Sequence, residues 1–224
     1  MKIQKLEIAC FNLQSAVIAQ QGGADRVELC DNIEEGGTTP SFEMVMLAKT
    51  NLFIDVFVMI RPRGGDFTYS DEEYIQMKRD IQKFKEANVN GFVFGILKTD
   101  GRINKSQNRE LVELAKPYPC TFHRAFDATI NVLESLEDVI DCGFKTILTS
   151  GQKQNALEGV TTLVELVKRA GNRIDIMPGG GVRSKTVIEL SEKIRSNYYH
   201  SSAIIDKSEI ANAEEVKLLK ERLK

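Results

Sequence analysis

The run Ile174-Asp-Ile-Met-Pro-Gly-Gly-Gly-Val182 joins the end of a strand to the start of a helix. A short apolar run ends at Pro178, three glycines follow, and Val182-Arg183-Ser184 opens a helical pattern. Glycines adopt positive φ without a Cβ clash and let a backbone approach a ligand closely. A helix start beyond them presents free N–H groups and a partial positive charge, which together suit an anion. Tandem glycines also serve as a plain strand-to-helix turn. The motif takes its weight from its position, as the seventh of eight similar strand ends.

Outward from that stretch, strand-like and helix-like segments alternate along the whole chain. Strands are expected at residues 2–9, Arg26–Cys30, Phe53–Ile60, Gly91–Leu97, Thr121–Arg124, Lys145–Thr149, Arg173–Met177 and Tyr198–Ser201. Each is followed by a helical pattern; Asn12 reads as an N-cap, and Gly22, Gly143 and Gly171 read as stops. Eight βα units in 224 residues, with no linker or low-complexity segment between them, predict an α/β fold. The expected architecture is a (β/α)8 TIM barrel, one domain spanning residues 1–224, with a doubly wound open sheet as the alternative.

Composition narrows the function. Hydrophobic residues make up 42% of the chain, and the formal net charge is −2 with both signs interspersed. That balance argues against a nucleic-acid footprint or an anionic-membrane patch. No apolar run reaches the roughly 18 residues of a membrane span. The first residues alternate like a strand and carry neither an h-region nor a cleavage site, so a cytoplasmic location is expected. The four cysteines include no C-x-x-C pair and read as free thiols in a reducing compartment.

In a barrel the outward side chains of each strand pack on helices and are apolar, which fixes the inward set by parity. Leu6 and Ile8 outward leave Glu7 and Ala9 inside; Val27 and Leu29 outward leave Glu28 and Cys30 inside. Val58 and Ile60 outward place Met59 and Arg61 toward the mouth. Phe122 outward leaves Thr121 and His123 inside, with Arg124 at the rim and Ser150 at the end of strand six. Buried charges of this kind are costly unless paired. One reading is therefore a structural layer in which Glu7 and Glu28 pair with Arg61 or Arg124. The other is a site for a small anionic metabolite. There Arg61, Arg124, Ser150, Ser201 and Gly179, Gly180 and Gly181 would bind the anion, and Glu7, Glu28 and His123 would move protons. Cys120 and Cys142 read as packing residues, whereas Cys30 points into the mouth. Cys10 has outward parity, so a two-thiolate Cu(I) or Zn(II) site needs the chain to turn there.

Several blocks resemble the CutC family. They are Glu7-Ile-Ala-Cys10, Gly23-Ala-Asp-Arg-Val-Glu-Leu-Cys30, Glu35-Gly-Gly-Thr-Thr-Pro-Ser41 and Met59-Ile-Arg-Pro-Arg-Gly-Gly-Asp-Phe67. Thr121-Phe-His-Arg-Ala-Phe-Asp127, Leu148-Thr-Ser-Gly151 and Pro178-Gly-Gly-Gly-Val182 continue the match in family order. The resemblance implies a TIM barrel and a cytoplasmic copper-homeostasis protein that binds Cu(I), the copper ion being its partner, and assembles as a homo-oligomer, a dimer or tetramer. It implies Cys30 as one copper thiolate. Where the family often has E-[IV]-C, this chain has Glu7-Ile8-Ala9 with Cys10 one position later, so the second thiol sits at the opposite parity. Cu(I) favours soft ligands, yet the shared blocks are dominated by Glu, Arg, His, Asp and Gly. A barrel enzyme doing acid–base chemistry on a phosphorylated or carboxylated metabolite is the alternative expectation. An interaction scaffold with no ligand of its own leaves the convergent charges unexplained.

Overall fold

Eight strands and eight helices alternate in the computed structural model, which describes residues 4–224. The strands are β1 (Lys5–Cys10), β2 (Arg26–Leu29), β3 (Asp55–Met59), β4 (Gly91–Phe94), β5 (Cys120–Phe122), β6 (Thr146–Thr149), β7 (Asp175–Pro178) and β8 (Tyr198–Ser201). The helices are α1 (Leu13–Gln21), α2 (Phe42–Asn51), α3 (Asp71–Glu86), α4 (Lys105–Ala115), α5 (Val132–Cys142), α6 (Val160–Ala170), α7 (Ser184–Ile194) and α8 (Ala213–Arg222). Residues 2 and 3 of the first expected strand lie outside the described residues. All ladders are parallel, in the order β7-β6-β5-β4-β3-β2-β1-β8, which is the order of a (β/α)8 barrel. No helix among the described residues is long and apolar enough to cross a membrane.

Local chemistry sets the boundaries. Asn12, Ser41, Ser70, Asn104, Asn131 and Asn212 each cap a helix by accepting a backbone N–H. Gly143 ends α5 with φ 93°, a conformation that only glycine takes without strain. The third strand is shorter than its apolar run: it begins at Asp55, and Phe53 is 94% exposed. The run reaches past the sheet into the loop that leaves α2, where no helix covers it.

Parity is borne out around the wall. Leu6, Ile8, Val27, Leu29, Val58, Ile60, Phe92, Phe94 and Phe122 are all buried in the layer between strands and helices. Each such side chain contributes roughly 1.5–3 kcal/mol when removed from water. A second, smaller cluster of Cys30, Phe57, Met59 and Val93 fills part of the lumen. Parallel register sets Glu7 beside Arg26 and His200, and Ala9 beside Glu28. The polar residues are thereby stacked in layers, with the open layer at the C-terminal ends of the strands.

Candidate functional site

A cavity of about 200 Å³ opens at those strand ends, lined among others by Ala9, Glu28, Arg61, His123, Arg124 and His200. Gly180, Gly181, Arg183, Ser201 and Ser202 complete its wall on the β7–β8 side. The volume suits a small metabolite and falls below the range of drug-sized pockets.

Glu7 lies one layer beneath the cavity and is fully buried. Its carboxylate accepts from the Arg26 Nε and meets His200 Nδ1 at 2.7 Å. Burial pushes the Glu7 carboxyl up, but Arg26 and His200 outweigh it and hold it below the ordinary range. The Arg26 guanidinium is itself sandwiched between the Phe57 and Tyr198 rings, at 4.2 and 4.4 Å. Glu7 is thus a fixed anion that orients His200, not a group free to reach a ligand. The ion pair foreseen between the two glutamates and Arg61 or Arg124 does not form: the cation is Arg26.

Glu28 is held differently. Its Oε2 lies 3.7 Å from His200 Nε2 and 3.6 Å from the Cys30 thiol, and its Oε1 finds no hydrogen-bond partner among the described residues. Burial raises its pKa to about 7, with His200 opposing and Glu7 reinforcing the rise. Burial pulls the His200 imidazole down, but the Glu28 and Glu7 carboxylates bring it above its ordinary value. Glu28 is thus held near neutrality beside a His200 ring whose affinity for a proton is raised, a pairing of the kind that general acid–base chemistry uses.

His123 stands at the cavity, inside the barrel where parity places it. Its Nδ1 accepts the Ala125 N–H at 3.3 Å, so the ring proton sits on Nε2. Burial and the neighbouring Arg61 charge push its pKa down to about 3. The imidazole is a neutral donor, and its Nε2 has no partner among the described residues. Arg61, 5% exposed, donates to the carbonyls of Glu35, Gly37 and Gly65, while its Nε likewise finds no partner among the described residues. Phe67 touches both, its ring 4.9 Å from the Arg61 guanidinium carbon and 5.0 Å from the His123 ring.

Across the mouth, Arg124 donates to Asp127 at 2.8 Å and to Ser150 Oγ at 3.0 Å. Ser150 is fully buried and spends its hydroxyl on Asp127 and the Lys153 carbonyl, so it steadies Arg124 and does not face the cavity. Asp127 also accepts the backbone N–H groups of Ser150 and Gln152, pinning the loop after β6. Gly179 gives its N–H to the Thr149 carbonyl and packs beside His200. Gly180 and Gly181 take φ values of 87° and 71°, and a Cβ on Gly180 would lie 3.3 Å from the Arg124 guanidinium carbon. The helix start after them is not open to a ligand: Glu215 of α8 accepts the Ser184 N–H and hydroxyl, each at 2.7 Å. Arg183 instead reaches over the loop, donating to Val182 O, Ser201 Oγ, Ser202 Oγ and Ile204 O. Ser201 Oγ in turn donates to Val182 O, so it too serves the loop.

The thiols divide as parity implies. Cys10 packs in the outer layer, its thiol donating to the Ile8 carbonyl at 3.4 Å. Cys30 packs in the lumen, and a Cβ on Gly37 would meet both Cys30 Sγ and Met59 Cε within 3.7 Å. Burial raises both thiols well above their ordinary range. The two sulfurs face opposite sides of the wall and do not converge. A set of metal-capable donors does gather at Glu7, Glu28 and His200, all within 4.8 Å. It offers two oxygens and a nitrogen, a choice that suits divalent ions better than Cu(I), and Glu7 is already committed to Arg26 and His200.

Sequence reasoning missed Arg26, His200, Arg183 and Asp127. Arg26 was within reach, since it shares the inward parity of Glu28 and lies in register with Glu7.

The chain resembles proteins already described. The CutC family model matches residues 4–205. A human copper homeostasis protein cutC homolog is 44% identical over 198 residues, covering 88% of this chain and 72% of its own. A CutC family protein of Parabacteroides distasonis is 47% identical, covering 88% and 82%. A crystal structure of a CutC copper homeostasis protein from Streptococcus agalactiae superposes with a TM-score of 0.85 at 33% identity, over 89% of this chain and 98% of that one. Phosphoribosyl anthranilate isomerase from Thermotoga maritima shares the fold alone, with a TM-score of 0.66 at 14% identity over 98% of both chains. Family model, relatives and superposition agree, and the chain belongs to the CutC family.

Proposed function

We propose that the barrel mouth is an enzyme site that moves a proton on a small anionic metabolite, with Glu28 as the base and His200 as its proton-sharing partner. The observation that carries this reading is that three residues lining one cavity each keep a buried polar atom without a partner among the described residues. The atoms are Glu28 Oε1, Arg61 Nε and His123 Nε2. Leaving a buried polar atom unmade costs roughly 1–3 kcal/mol. A ligand carrying acceptors and an acidic C–H or O–H would relieve all three at once. Glu7 and Arg26 act as positioning residues, because they fix the ring of His200 without touching the cavity. The test is incubation in D2O with a panel of small phosphorylated and carboxylated metabolites, read by mass spectrometry. At least one compound is expected to take up carbon-bound deuterium, and Glu28→Gln slows that uptake by about 100-fold or more. No uptake with any compound, or uptake undiminished in the variant, overturns the proposal.

The copper association of the family supports a second reading, in which Cu(I) is a cargo held by Cys30. Its support here is the contact zone of Cys30 with Met59 in the lumen, a pair of soft sulfur donors. The four cysteines are free and buried, which supports a reducing, cytoplasmic setting. Cys10 would take no part, facing the helices. An anaerobic Cu(I) titration against a chromophoric chelator separates the outcomes. Tight stoichiometric binding lost in Cys30→Ser and kept in Cys10→Ser favours this reading; binding equal in all three proteins sinks it.

A further inference from the structure

The charges around the cavity do not cancel. Glu7 balances Arg26, and Arg124 balances Asp127. Glu28 stands against His200, its Oε2 3.7 Å from the ring Nε2, so that carboxylate has its own partner. Two guanidiniums remain. Arg61 gives its hydrogen bonds to three carbonyls, and Arg183 gives its own to two carbonyls and two hydroxyls. Neither forms an ion pair with a carboxylate among the described residues. Arg61 is 5% exposed and Arg183 half-buried, so neither charge is fully solvated. Burial accordingly lowers the Arg183 pKa, with Glu215 a weaker opposing influence. An uncompensated cation held away from water is unfavourable unless an anion joins it.

The two cations also stand apart. Arg61 follows β3 and Arg183 follows β7, four strands away in an eight-stranded barrel, so they occupy opposite walls of one cavity. Each comes with its own neutral donors. On the β3 wall, Arg61 Nε and His123 Nε2 are aimed at nothing among the described residues. On the β7–β8 wall, the Gly180 and Gly181 N–H groups find no acceptor among the described residues, and Ser202 and Arg124 lie beside them. The first group joins a guanidinium to a neutral imidazole donor, a pairing that suits a carboxylate. The second is backbone-lined and flanked by two arginines, an arrangement that suits phosphate at the last two βα loops of a barrel.

We infer that the ligand of this mouth is a phosphorylated carboxylic acid, with its phosphate on Arg183, Arg124 and the Gly180–Gly181 backbone and its carboxylate on Arg61 and His123. This rests on the small-anion reading of the mouth but not on its proton chemistry. The carbon chain between the two ends would then pass across Glu28 and His200.

The test is calorimetric titration of the full chain with phosphoglycerate, its one-carbon-longer homologue phosphoerythronate, glycerol phosphate and glycerate. One of the two double anions is expected to bind at least about tenfold more tightly than either single anion, roughly 1.4 kcal/mol. Arg183→Gln weakens the phosphate-bearing compounds by a similar factor and leaves glycerate unchanged. His123→Phe weakens the carboxylate-bearing ones and leaves glycerol phosphate unchanged. Arg183→Lys, which keeps the charge, retains most of the phosphate affinity, and circular dichroism confirms that each variant is folded. Equal affinities for single and double anions, no binding of any probe at millimolar concentration, or loss of both ends in one variant overturns the inference. These affinities are read without turnover, so a failure of the proton chemistry and a failure of the anion sites give different results.

Discussion

Two buried groups with opposite titration set the pH response at the scale of single residues. Glu28 titrates at about 7 in the fold, against an ordinary 4.5, so the folded chain holds more protons than the unfolded chain between those values. Its contribution is present below about pH 4.5 and lost as pH rises toward 7. His123 titrates at about 3 against an ordinary 6.5, so the unfolded chain holds more protons in that window, and stability is lost as pH falls through it. The two slopes oppose each other between about pH 4.5 and 6.5. Urea denaturation of wild type, Glu28→Gln and His123→Gln at a series of pH values separates them. The stability of Glu28→Gln relative to wild type is expected to rise from about pH 4.5 to 7. That of His123→Gln relative to wild type should fall from about pH 3 to 6.5. Each slope approaches about 1.4 kcal/mol per pH unit. Parallel curves for all three proteins would mean that neither group departs from its ordinary titration.

The sequence was most legible at the scale of elements. Strand parity read from Leu6, Val27, Val58 and Phe122 placed Glu28, Cys30, Met59 and His123 inside correctly, because the wall of a barrel admits only one alternation. Helix starts were legible where an asparagine or serine caps its own chain, as Asn12 does for α1. Partners supplied from a distance were not legible. The glycine run before α7 suggested an open helix start, yet the capping carboxylate is Glu215, 31 residues further on. Ser150 looked like an anion ligand at a strand end, but Asp127 of the preceding βα unit claims it. His200 went unread because Tyr198-Tyr-His-Ser201 carries no apolar alternation from which to take a parity. Phe53 was assigned to β3 on hydrophobicity, which says nothing about where a covering helix ends. Its neighbour α2 also exposes Met46 and Leu47, at 43% and 51%, so this edge of the molecule is apolar beyond the strand itself.

The whole molecule has one weak join, and it lies under the site. Seven parallel ladders link the eight strands, but no backbone ladder joins β7 to β8 among the described residues. Side chains close the gap. At the bottom, Ser196 Oγ donates to the Ile176 carbonyl and Asn197 Nδ2 donates to Asp175 Oδ1 at 2.5 Å. At the top, Arg183 ties the loop after β7 to Ser201 at the end of β8 and to Ser202 and Ile204 just beyond it. A seam held by side chains opens at lower cost than one held by a ladder, and amide exchange reports that local opening. Native-state hydrogen exchange is therefore expected to show the seam-facing amides of β7 and β8 exchanging at least about tenfold faster than those of β2–β5, equivalent to roughly 1.4 kcal/mol less local stability. Asn197→Ala removes a stitch and should widen that difference while leaving β2–β5 protected as before. Uniform protection around the barrel, or a loss in Asn197→Ala that spreads evenly to β2–β5, would mean that the barrel opens only as a unit. The seam also explains why Arg183 matters beyond its charge: it is both a wall of the cavity and the upper fastening of the join, so an anion drawn to Arg183 would sit where the barrel is least secured.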